Sequence, residues 1–214
     1  MARRVQLEGE LVRLEPLTVE HACGLLAAAT ESRATFRYTL VPADEESTLR
    51  YIVHALDDER NGRCLPFAVR SLLSDRIAGS TRFLDLEYWT GSTSGATGST
   101  RGDERGTPSV CEIGSTWLAE SAQRTGINTE AKLLMLSHAF DTWGVHRVTL
   151  KTDARNQRSR AAIARIGGVF EGVRRAHMPA ADSGIRDTAY FSILAAEWPA
   201  ARRHLLELLD HYSD

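Results

Sequence analysis

Apolar and polar positions alternate along the chain with two different periods, which predict a mixture of strands and helices. Residues 5–16 alternate around Gly9 in the manner of a β-hairpin. Helical spacing follows over residues 18–31, where Thr18 is placed to cap the first turn, and again over residues 44–62. In the second of these helices Leu49, Ile52, Val53 and Leu56 repeat at helical spacing.

Beyond residue 62 the same reasoning predicts six more strands and three more helices. The strands are expected at 66–72, 77–84, 110–118, 145–152, 169–174 and 188–194. The helices are expected at 129–143, 156–166 and 200–209, with Gly144 ending the first of them. This order predicts an α/β (α+β) fold around one mostly antiparallel sheet. No repeat or linker divides the chain, so we expect a single domain over residues 1–214.

Residues 90–109 interrupt this order. The segment from 91 to 109, GSTSGATGSTRGDERGTPS, contains many serines and threonines and no large apolar residue. Connections of this length are uncommon inside compact domains. Those that occur usually form a lid, make contacts with a partner, or are disordered. We therefore expect a flexible loop at 90–109.

Composition and charge narrow the class of protein. The hydrophobic fraction of 43% and the charged fraction of 25% are ordinary for a globular protein and exclude a disordered or fibrous one. The net charge of -2 gives no overall attraction to nucleic acid or to an anionic membrane. The three cysteines are not closely spaced, and no apolar run approaches the ~20 residues that span a bilayer. We expect no metal site and a cytoplasmic location.

One stretch of the chain has a large local excess of positive charge. Residues 146–175 contain eight Lys and Arg residues against two acidic ones. Such a stretch is either a solvated face or a site for a polyphosphate. An RNA-binding face would carry the same charge, but no aromatic stacking platform accompanies it.

The loop before the third predicted helix could hold an anion. The sequence QRTGINTEAK, at 123–132, runs from a polar turn into a helix whose first N–H groups are unpaired. Gly126 would let a ligand approach the backbone, and Asn128 is placed to cap the helix. The motif is neither a P-loop nor GxGxxG, so these two residues could also form an ordinary capped loop.

The wider string resembles the GNAT superfamily of acetyltransferases, and within it the ribosomal-protein N-terminal acetyltransferase (RimJ/RimL) branch. The resemblance covers about residues 7–198 and rests on GxxWL at 114–118, on a loop of the form Q/R-x-x-G-x-G/A at 123–128, and on Asn156 and Ser159. A glycine pair followed by Phe170 completes it. The chain departs from the family at Asn128, where Gly or Ala is usual, and in the length of the 90–109 loop.

This resemblance implies a GNAT fold and acetyl-CoA as co-substrate, with no metal. In the fold, helices cover both faces of the sheet and the central parallel strands, here 111–118 and 145–152, splay apart in a V. Pantetheine lies in the gap, and the pyrophosphate lies on the loop at 123–128. The positions that match the family's cofactor site are Trp117, Leu118, Ala119, Gln123, Arg124, Thr125, Gly126, Ile127, Asn128, Thr129, Asn156, Arg158 and Ser159.

Acetyl transfer to an amine needs modest acid–base help near neutral pH, because an α-amine and a thiol both titrate near pH ~8. We predict Glu112 as the catalytic base, since it is a carboxylate within an otherwise apolar strand. The alternative is a strand-end Glu that faces solvent or an arginine. We predict Ser159 as the catalytic acid from the resemblance; its alternative role is to satisfy a helix-start amide.

Four other residues are weaker candidates. His177 and Tyr190 could line the acceptor side or be structural. Arg82 could receive an acceptor carboxylate, pair with Glu112, or be a surface arginine. Cys111 could accept the acetyl group, although no neighbouring His activates its thiol.

The sequence leaves two possible acceptors: a protein N-terminal α-amine, or a small amine such as an antibiotic or metabolite. A wide groove near Phe36, Tyr38 and Phe83 would favour a peptide, and a closed pocket would favour a small amine. A non-catalytic CoA-binding or regulatory module is a further alternative. We expect no membrane and no direct nucleic-acid partner, and a homodimer is one arrangement to consider.

Overall fold

The computed structural model describes residues 3–89 and 106–212, which contain eight strands and five α-helices. The strands are β1 Leu7–Glu8, β2 Val12–Pro16, β3 Cys64–Ser71, β4 Arg76–Glu87, β5 Val110–Leu118, β6 Arg147–Asp153, β7 Val169–Pro179 and β8 Ile185–Leu194. The helices are α1 Ala22–Thr30, α2 Glu45–Arg60, α3 Gly126–Ser137, α4 Gln157–Arg165 and α5 Trp198–Asp210. Every predicted element is therefore present, with shifts at its ends.

All eight strands join one sheet, in the order β1-β2-β3-β4-β5-β6-β8-β7. Neighbouring strands are antiparallel except β5 and β6, which are parallel. The mostly antiparallel sheet with one central parallel pair is confirmed. Strand β8 inserts between β6 and β7, so the last hairpin folds back onto the sheet through its second strand.

Helices cover both faces of the sheet, as predicted, and each face has its own core. On one face, α3, α4 and α5 pack against strand residues such as Phe67 and Phe83. On the other face, α1 and α2 pack around Leu25, Ile52 and Trp117. Burial of these apolar side chains is the main contribution to the stability of both layers.

A buried carboxylate joins α3 to the first hairpin. The side chain of Glu130 accepts hydrogen bonds from the backbone N–H groups of Glu10, Leu11 and Val12, at 2.9, 2.7 and 2.8 Å. Gly9 lies so close that a Cβ there would be 2.4 Å from the Glu130 carboxyl carbon. The turn between β1 and β2 is therefore held against the start of α3.

The apolar residues that repeat along α2 do not all face the core. Ile52 is buried, but Leu49 is 42% exposed and Val53 is 54% exposed. The buried side instead carries Thr48, whose hydroxyl donates to the Asp44 carbonyl at 2.7 Å. Apolar residues occur on two sides of this helix, and a polar residue that satisfies its own hydroxyl can occupy the core side.

The helix predicted at 129–143 starts earlier and changes its winding. It begins at Gly126 and becomes π-helical over His138–Trp143, before Gly144 ends it in a left-handed conformation with φ of 73°. The predicted end at Gly144 is confirmed. The wider winding of the last turn buries Ala139, Phe140 and Trp143 together.

Most of the predicted flexible loop, residues 90–105, lies outside the described residues. At its far end Ser109 is described and buried. Its N–H donates to the Glu87 carbonyl at 2.7 Å, and its hydroxyl accepts from the Trp89 N–H at 3.0 Å. The end of β4 and the start of β5 are thus bonded to each other. None of the helices in residues 3–89 and 106–212 has the length and apolarity needed to cross a membrane.

Candidate active site

The parallel strands β5 and β6 separate after three residue pairs. The pairs are Val110 with Arg147, Cys111 with Val148, and Glu112 with Thr149. Both strands continue beyond this point, but no further pairing between them occurs in the described part of the chain. We call the gap between residues 113–118 and residues 150–153 the slot, with its closed end at Glu112. The predicted splay is confirmed.

A β-bulge explains why β5 bends away. Arg82 pairs with Gly114 and Ser80 with Trp117, so β5 has one residue more than β4 over this interval. Ser115 lies inside the bulge with φ of 48°, a left-handed conformation that is uncommon for serine. Bulges bend the strand that carries the extra residue, and here the bend opens the slot.

At the open end, the first turn of α3 is capped by Thr125 and not, as predicted, by Asn128. Thr125 is extended, and its hydroxyl accepts from the Ile127 N–H at 3.3 Å. Asn128 is instead the third residue of the helix and is half-buried. The helix starts earlier because a threonine in an extended conformation can reach the amide two residues on.

Gly126 packs against the first hairpin, and its contact with a ligand stays a prediction. A Cβ at this position would lie 2.5 Å from Leu11 Cδ1 and 3.3 Å from the ring of Tyr212. Arg124, with φ of 60°, is the residue in the loop that takes the left-handed conformation. Gly126 therefore allows α3 to pack closely on the first hairpin.

Gln123 connects the loop to the elements around it. Its side-chain amide donates to the Leu118 carbonyl at 2.8 Å and to Thr35 Oγ1 at 2.9 Å. Its amide oxygen accepts from Arg158 Nη2 at 2.5 Å. The end of β5, the segment after α1 and the start of α4 therefore meet at Gln123.

Helix α4 presents its basic residues next to this loop. Arg158 contacts Gln123, and Arg165 Nη2 donates to Thr129 Oγ1 at 3.2 Å. Arg158, Arg160 and Arg165 form no salt bridge within residues 3–89 and 106–212. By contrast, Arg155 pairs with Asp153 at 2.8 Å. Helix α4 therefore brings three arginines without an acidic partner, among the described residues, to the side of the loop at 123–128.

The start of α4 matches the prediction in its local geometry. Asn156 caps the helix, and its Oδ1 accepts from the Ser159 N–H at 3.0 Å. Ser159 is half-buried, and its hydroxyl makes no hydrogen bond as far as the described residues extend. Asn156 caps the helix through the backbone N–H of Ser159, and the Ser159 hydroxyl takes no part in the cap. That hydroxyl is therefore free to contact a ligand.

The remaining predicted cofactor residues also lie around the open end. Trp117 is buried in the second core, where its indole N–H donates to the Tyr51 hydroxyl at 3.2 Å. Leu118 and Ala119 are buried, and the Ala119 N–H donates to the Ala78 carbonyl at 2.7 Å. A ligand in the slot could therefore meet these residues through their backbone edge.

At the closed end, Glu112 forms a buried ion pair that the sequence did not indicate. Lys151 Nζ lies 2.7 Å from Glu112 Oε2 and 3.3 Å from Asp85 Oδ2. Burial raises the pKa of Glu112 to about 7, although the ammonium of Lys151 works in the opposite direction. Burial alone would lower the pKa of Lys151, but the two carboxylates outweigh it and the net shift is upward. The alternatives in which Glu112 faces solvent or an arginine are wrong.

His177 and Tyr190 lie beside this ion pair. His177 Nδ1 is 3.0 Å from Thr188 Oγ1, and its Nε2 is 3.3 Å from the Tyr190 hydroxyl. Tyr190 is the cross-strand neighbour of Lys151. Both residues therefore belong to the face of the sheet that carries Glu112.

The structure also bears on three weaker candidates. Arg82 is neither a surface residue nor a partner of Glu112, because it is 6% exposed and lies against the Tyr51 ring, 4.5 Å from its centroid. Burial raises the pKa of the Cys111 thiol well above its ordinary value, which makes it unsuited as a nucleophile. Phe36 and Phe83, two of the residues near which a wide groove would favour a peptide acceptor, are buried in opposite cores and do not share a surface.

Comparisons with known proteins agree with this geometry. The family model described as acetyltransferase (GNAT) domain matches residues 12–169. YdaF of Bacillus subtilis strain 168, named as a candidate ribosomal N-acetyltransferase, is 34% identical over 88 residues, which are 41% of this chain and 46% of that protein. The chain thus matches less than half the length of this curated relative.

Solved structures share the fold over nearly the whole chain. A GCN5-related N-acetyltransferase from Brucella melitensis has a TM-score of 0.79 and 29% identity, over 96% of this chain and 86% of that chain. Mycobacterium smegmatis RimJ, solved in complex with CoA-disulfide, has a TM-score of 0.74 and 21% identity, over 96% and 95% of the two chains. At that identity the second likeness shows the fold alone. Among the described residues, no group of three or more His, Cys, Asp or Glu could hold a metal ion.

Proposed function

The chain belongs to the acetyltransferase (GNAT) domain family, and from this premise we propose that it is an acetyl-CoA-dependent N-acetyltransferase of the RimJ/RimL type. The observation that carries the proposal is that pairing between β5 and β6 stops at Glu112, a buried carboxylate. An extended thioester arm in the slot would bring its reactive end to this group. Holding two reactants in line beside an acid–base residue is the main requirement of acetyl transfer.

We propose that the open end of the slot holds the phosphates of acetyl-CoA. The first turn of α3 has unpaired N–H groups and the positive end of the helix dipole. Arg158, Arg160 and Arg165 add positive charge that no described acidic residue neutralises. The unpaired backbone edge of residues 113–118 supports a position for the pantetheine arm, which carries amide groups.

The reaction requires one proton to leave the amine and one to reach the departing sulfur. A bond forms between the amine nitrogen and the thioester carbonyl carbon, and the carbon–sulfur bond breaks. We assign the proton of the amine to the carboxylate of Glu112, directly or through a water, because its pKa of about 7 suits an amine that titrates near pH ~8. We assign the protonation of the sulfur to the hydroxyl of Ser159, which regains a proton from solvent, while Glu112 releases the proton of the amine to solvent.

We propose a protein N-terminal α-amine as the acceptor, in line with the name of the Bacillus subtilis relative. A small-molecule amine is the alternative acceptor, and a non-catalytic CoA-binding module is the alternative function. We also keep the whole chain as one domain, which is supported by the single sheet that contains all eight strands.

The test is release of free thiol from acetyl-CoA, with intact-mass detection of the acetylated product. Peptides that start with Ala or Ser are compared with a panel of amine antibiotics, and the same peptides with a blocked α-amine are the matched control. Thiol release that follows the concentration of free amine supports the enzyme. Tight binding of acetyl-CoA without turnover of any amine would show a binding module, and no binding at all would reject the proposal.

A further inference from the structure

Arg82, near the middle of β4, carries a buried charge without a partner. Its side chain is 6% exposed, and it forms neither a hydrogen bond nor a salt bridge within the part of the chain that the structure describes. The Nε atom is enclosed and unsatisfied. The guanidinium lies over the ring of Tyr51, 4.5 Å from its centroid.

Such an arrangement is costly for the folded protein. The Nε–H donor of Arg82 loses its water on burial and gains no hydrogen-bond partner in return. A cation–π contact recovers only a fraction of the cost of removing an unpaired charge from water. Because native proteins satisfy almost all buried polar groups, an exception of this kind suggests a binding partner that is absent from the free protein.

Arg82 lies close to Glu112, the proposed catalytic base. Leu84 pairs with Glu112 and Arg82 pairs with Gly114, so Arg82 and Glu112 are diagonal neighbours on one face of the sheet. Diagonal Cα atoms on adjacent strands are about 7–8 Å apart. A Cβ at Gly114 would lie 2.6 Å from Glu112 Oε1, so the carboxylate extends over the residue opposite Arg82. Lys151 holds Glu112, which leaves Arg82 unpaired.

Tyr51 fixes the guanidinium in this place. Its hydroxyl donates to Ser80 Oγ at 3.0 Å and accepts from the Trp117 indole N–H at 3.2 Å. The ring therefore has a defined orientation under Arg82. A preorganised guanidinium favours bidentate recognition of a planar carboxylate.

We propose that Arg82 binds a carboxylate of the acceptor, so that the substrate is a primary amine that also carries a carboxylate. This inference rests on the proposed function, because it places the amine at Glu112 and the carboxylate at Arg82. The phosphates of the cofactor do not compete for Arg82, since their proposed site lies at the other end of the slot. The carboxylate comes either from an acidic side chain near a peptide N-terminus or from a small amino acid.

The experiment compares matched acceptors that differ only in the carboxylate. One pair is a C-terminally amidated peptide that starts Ser-Glu and its Ser-Gln counterpart; the other is 4-aminobutyrate and its primary amide. We expect the wild type to show at least about tenfold lower KM for the acid of one pair, because a bidentate charged contact is lost with the amide. Arg82→Met should abolish this preference and leave the KM for the amides within about twofold. The pair that shows the effect identifies the source of the carboxylate.

The matched control is Arg50→Met, which removes an arginine next to Tyr51 in sequence whose side chain is 65% exposed and faces solvent. This variant should keep the preference. Arg82→Met should also melt at the wild-type temperature or higher, because it removes a buried unpaired charge and keeps an apolar side chain. A structural role for Arg82 predicts the opposite, a lower melting temperature with the acceptor preference unchanged, and that result would overturn the inference.

The same data separate this inference from the proposed function. Equal KM values for acids and amides in a wild type that acetylates both would reject the role of Arg82 and leave the enzyme assignment intact. Failure of every amine to release thiol would reject the enzyme assignment itself. In that case calorimetric titration with N-acetyl-4-aminobutyrate would still decide whether Arg82 binds a carboxylate, since Arg82→Met should lose any such binding.

Discussion

Glu112 is the residue on which the proposed chemistry depends, and the sequence indicated it for a simple reason. A carboxylate among the apolar residues of β5 is unusual, and alternation places it on the face opposite Cys111 and Ile113. Its partners could not be predicted, because Lys151 and Asp85 come from two other strands. The alternation of β6 places the side chain of Lys151 on the face of the sheet away from Val148 and Leu150. Sequence alone does not give the register between strands, so it could not pair Lys151 with Glu112.

Replacing Glu112 with Gln should lower kcat by about 10²-fold and leave the KM for acetyl-CoA unchanged. The base must be ionised to act, so the wild-type rate should rise with pH through the pKa of about 7 and level off above it. Steady-state kinetics from pH 6 to 9 measure both effects. Glu120→Gln, which changes an exposed carboxylate just beyond the same strand, is the control. A wild-type rate and pH profile in Glu112→Gln would remove this residue from the mechanism.

Lys132 offers a second test at the scale of one residue. It is buried in α3, and Nζ donates to Thr116 Oγ1 at 2.6 Å and to Thr81 Oγ1 at 3.2 Å, without a carboxylate partner among the described residues. Burial lowers its pKa from 10.5 to about 7. The unfolded chain therefore binds a proton that the folded protein lacks between these pH values, and stability should rise with pH across that window.

Replacing Lys132 with Met should stabilise the protein by on the order of 2–4 kcal/mol below pH 7. The two threonine hydroxyls lie 2.8 Å apart and can bond to each other once the lysine is absent. The advantage should shrink as the pH rises from 7 to 10.5, because the folded wild type no longer carries the charge. Urea unfolding at pH 6, 8 and 10 measures it. A gain that is independent of pH, or a loss at pH 6, contradicts the assignment.

At the scale of elements, local signals predicted the helix ends well where one side chain controls the end. Asp44 accepts from the Ser47 N–H at 2.7 Å at the start of α2, and Gly144 ends the helix that begins with α3. The signal failed where two residues compete, since Thr125 and Asn128 are both good caps and the packing of Gly126 against Leu11 selects the earlier start. Such packing depends on contacts distant in sequence.

The exposed face of α4 carries a prediction about cofactor affinity. Changing Arg158 and Arg165 together to Gln should weaken acetyl-CoA binding about tenfold or more and reduce its dependence on salt, because two cations near the phosphates are lost. Calorimetry at two ionic strengths measures this. Arg202→Gln with Arg203→Gln removes the same charge from exposed positions of α5 and should have little effect. Equal affinities for the two double variants would place the phosphates elsewhere.

At the scale of the molecule, periodicity predicted the number and kind of elements but not their arrangement. The position of β8 between β6 and β7 depends on pairings such as Phe191 with both Leu150 and Phe170. The slot likewise depends on the bulge at Ser115, whose left-handed conformation no residue preference indicates. The resemblance to a known family supplied what periodicity could not, namely that the parallel pair separates.

Amide hydrogen exchange with and without CoA tests the central claim, that the cofactor occupies the slot with its phosphates on the loop before α3. The amides of β5 that face the slot lack a strand partner beyond Glu112 within the described ranges, so a bound arm should protect them. We predict slower exchange in residues 113–118 and 123–129 at saturating CoA, with β7 unchanged. Tight binding that leaves both segments unprotected, or that protects only the cavity between α1 and α2, which Leu26, Thr48 and Leu49 help to line, would contradict the account.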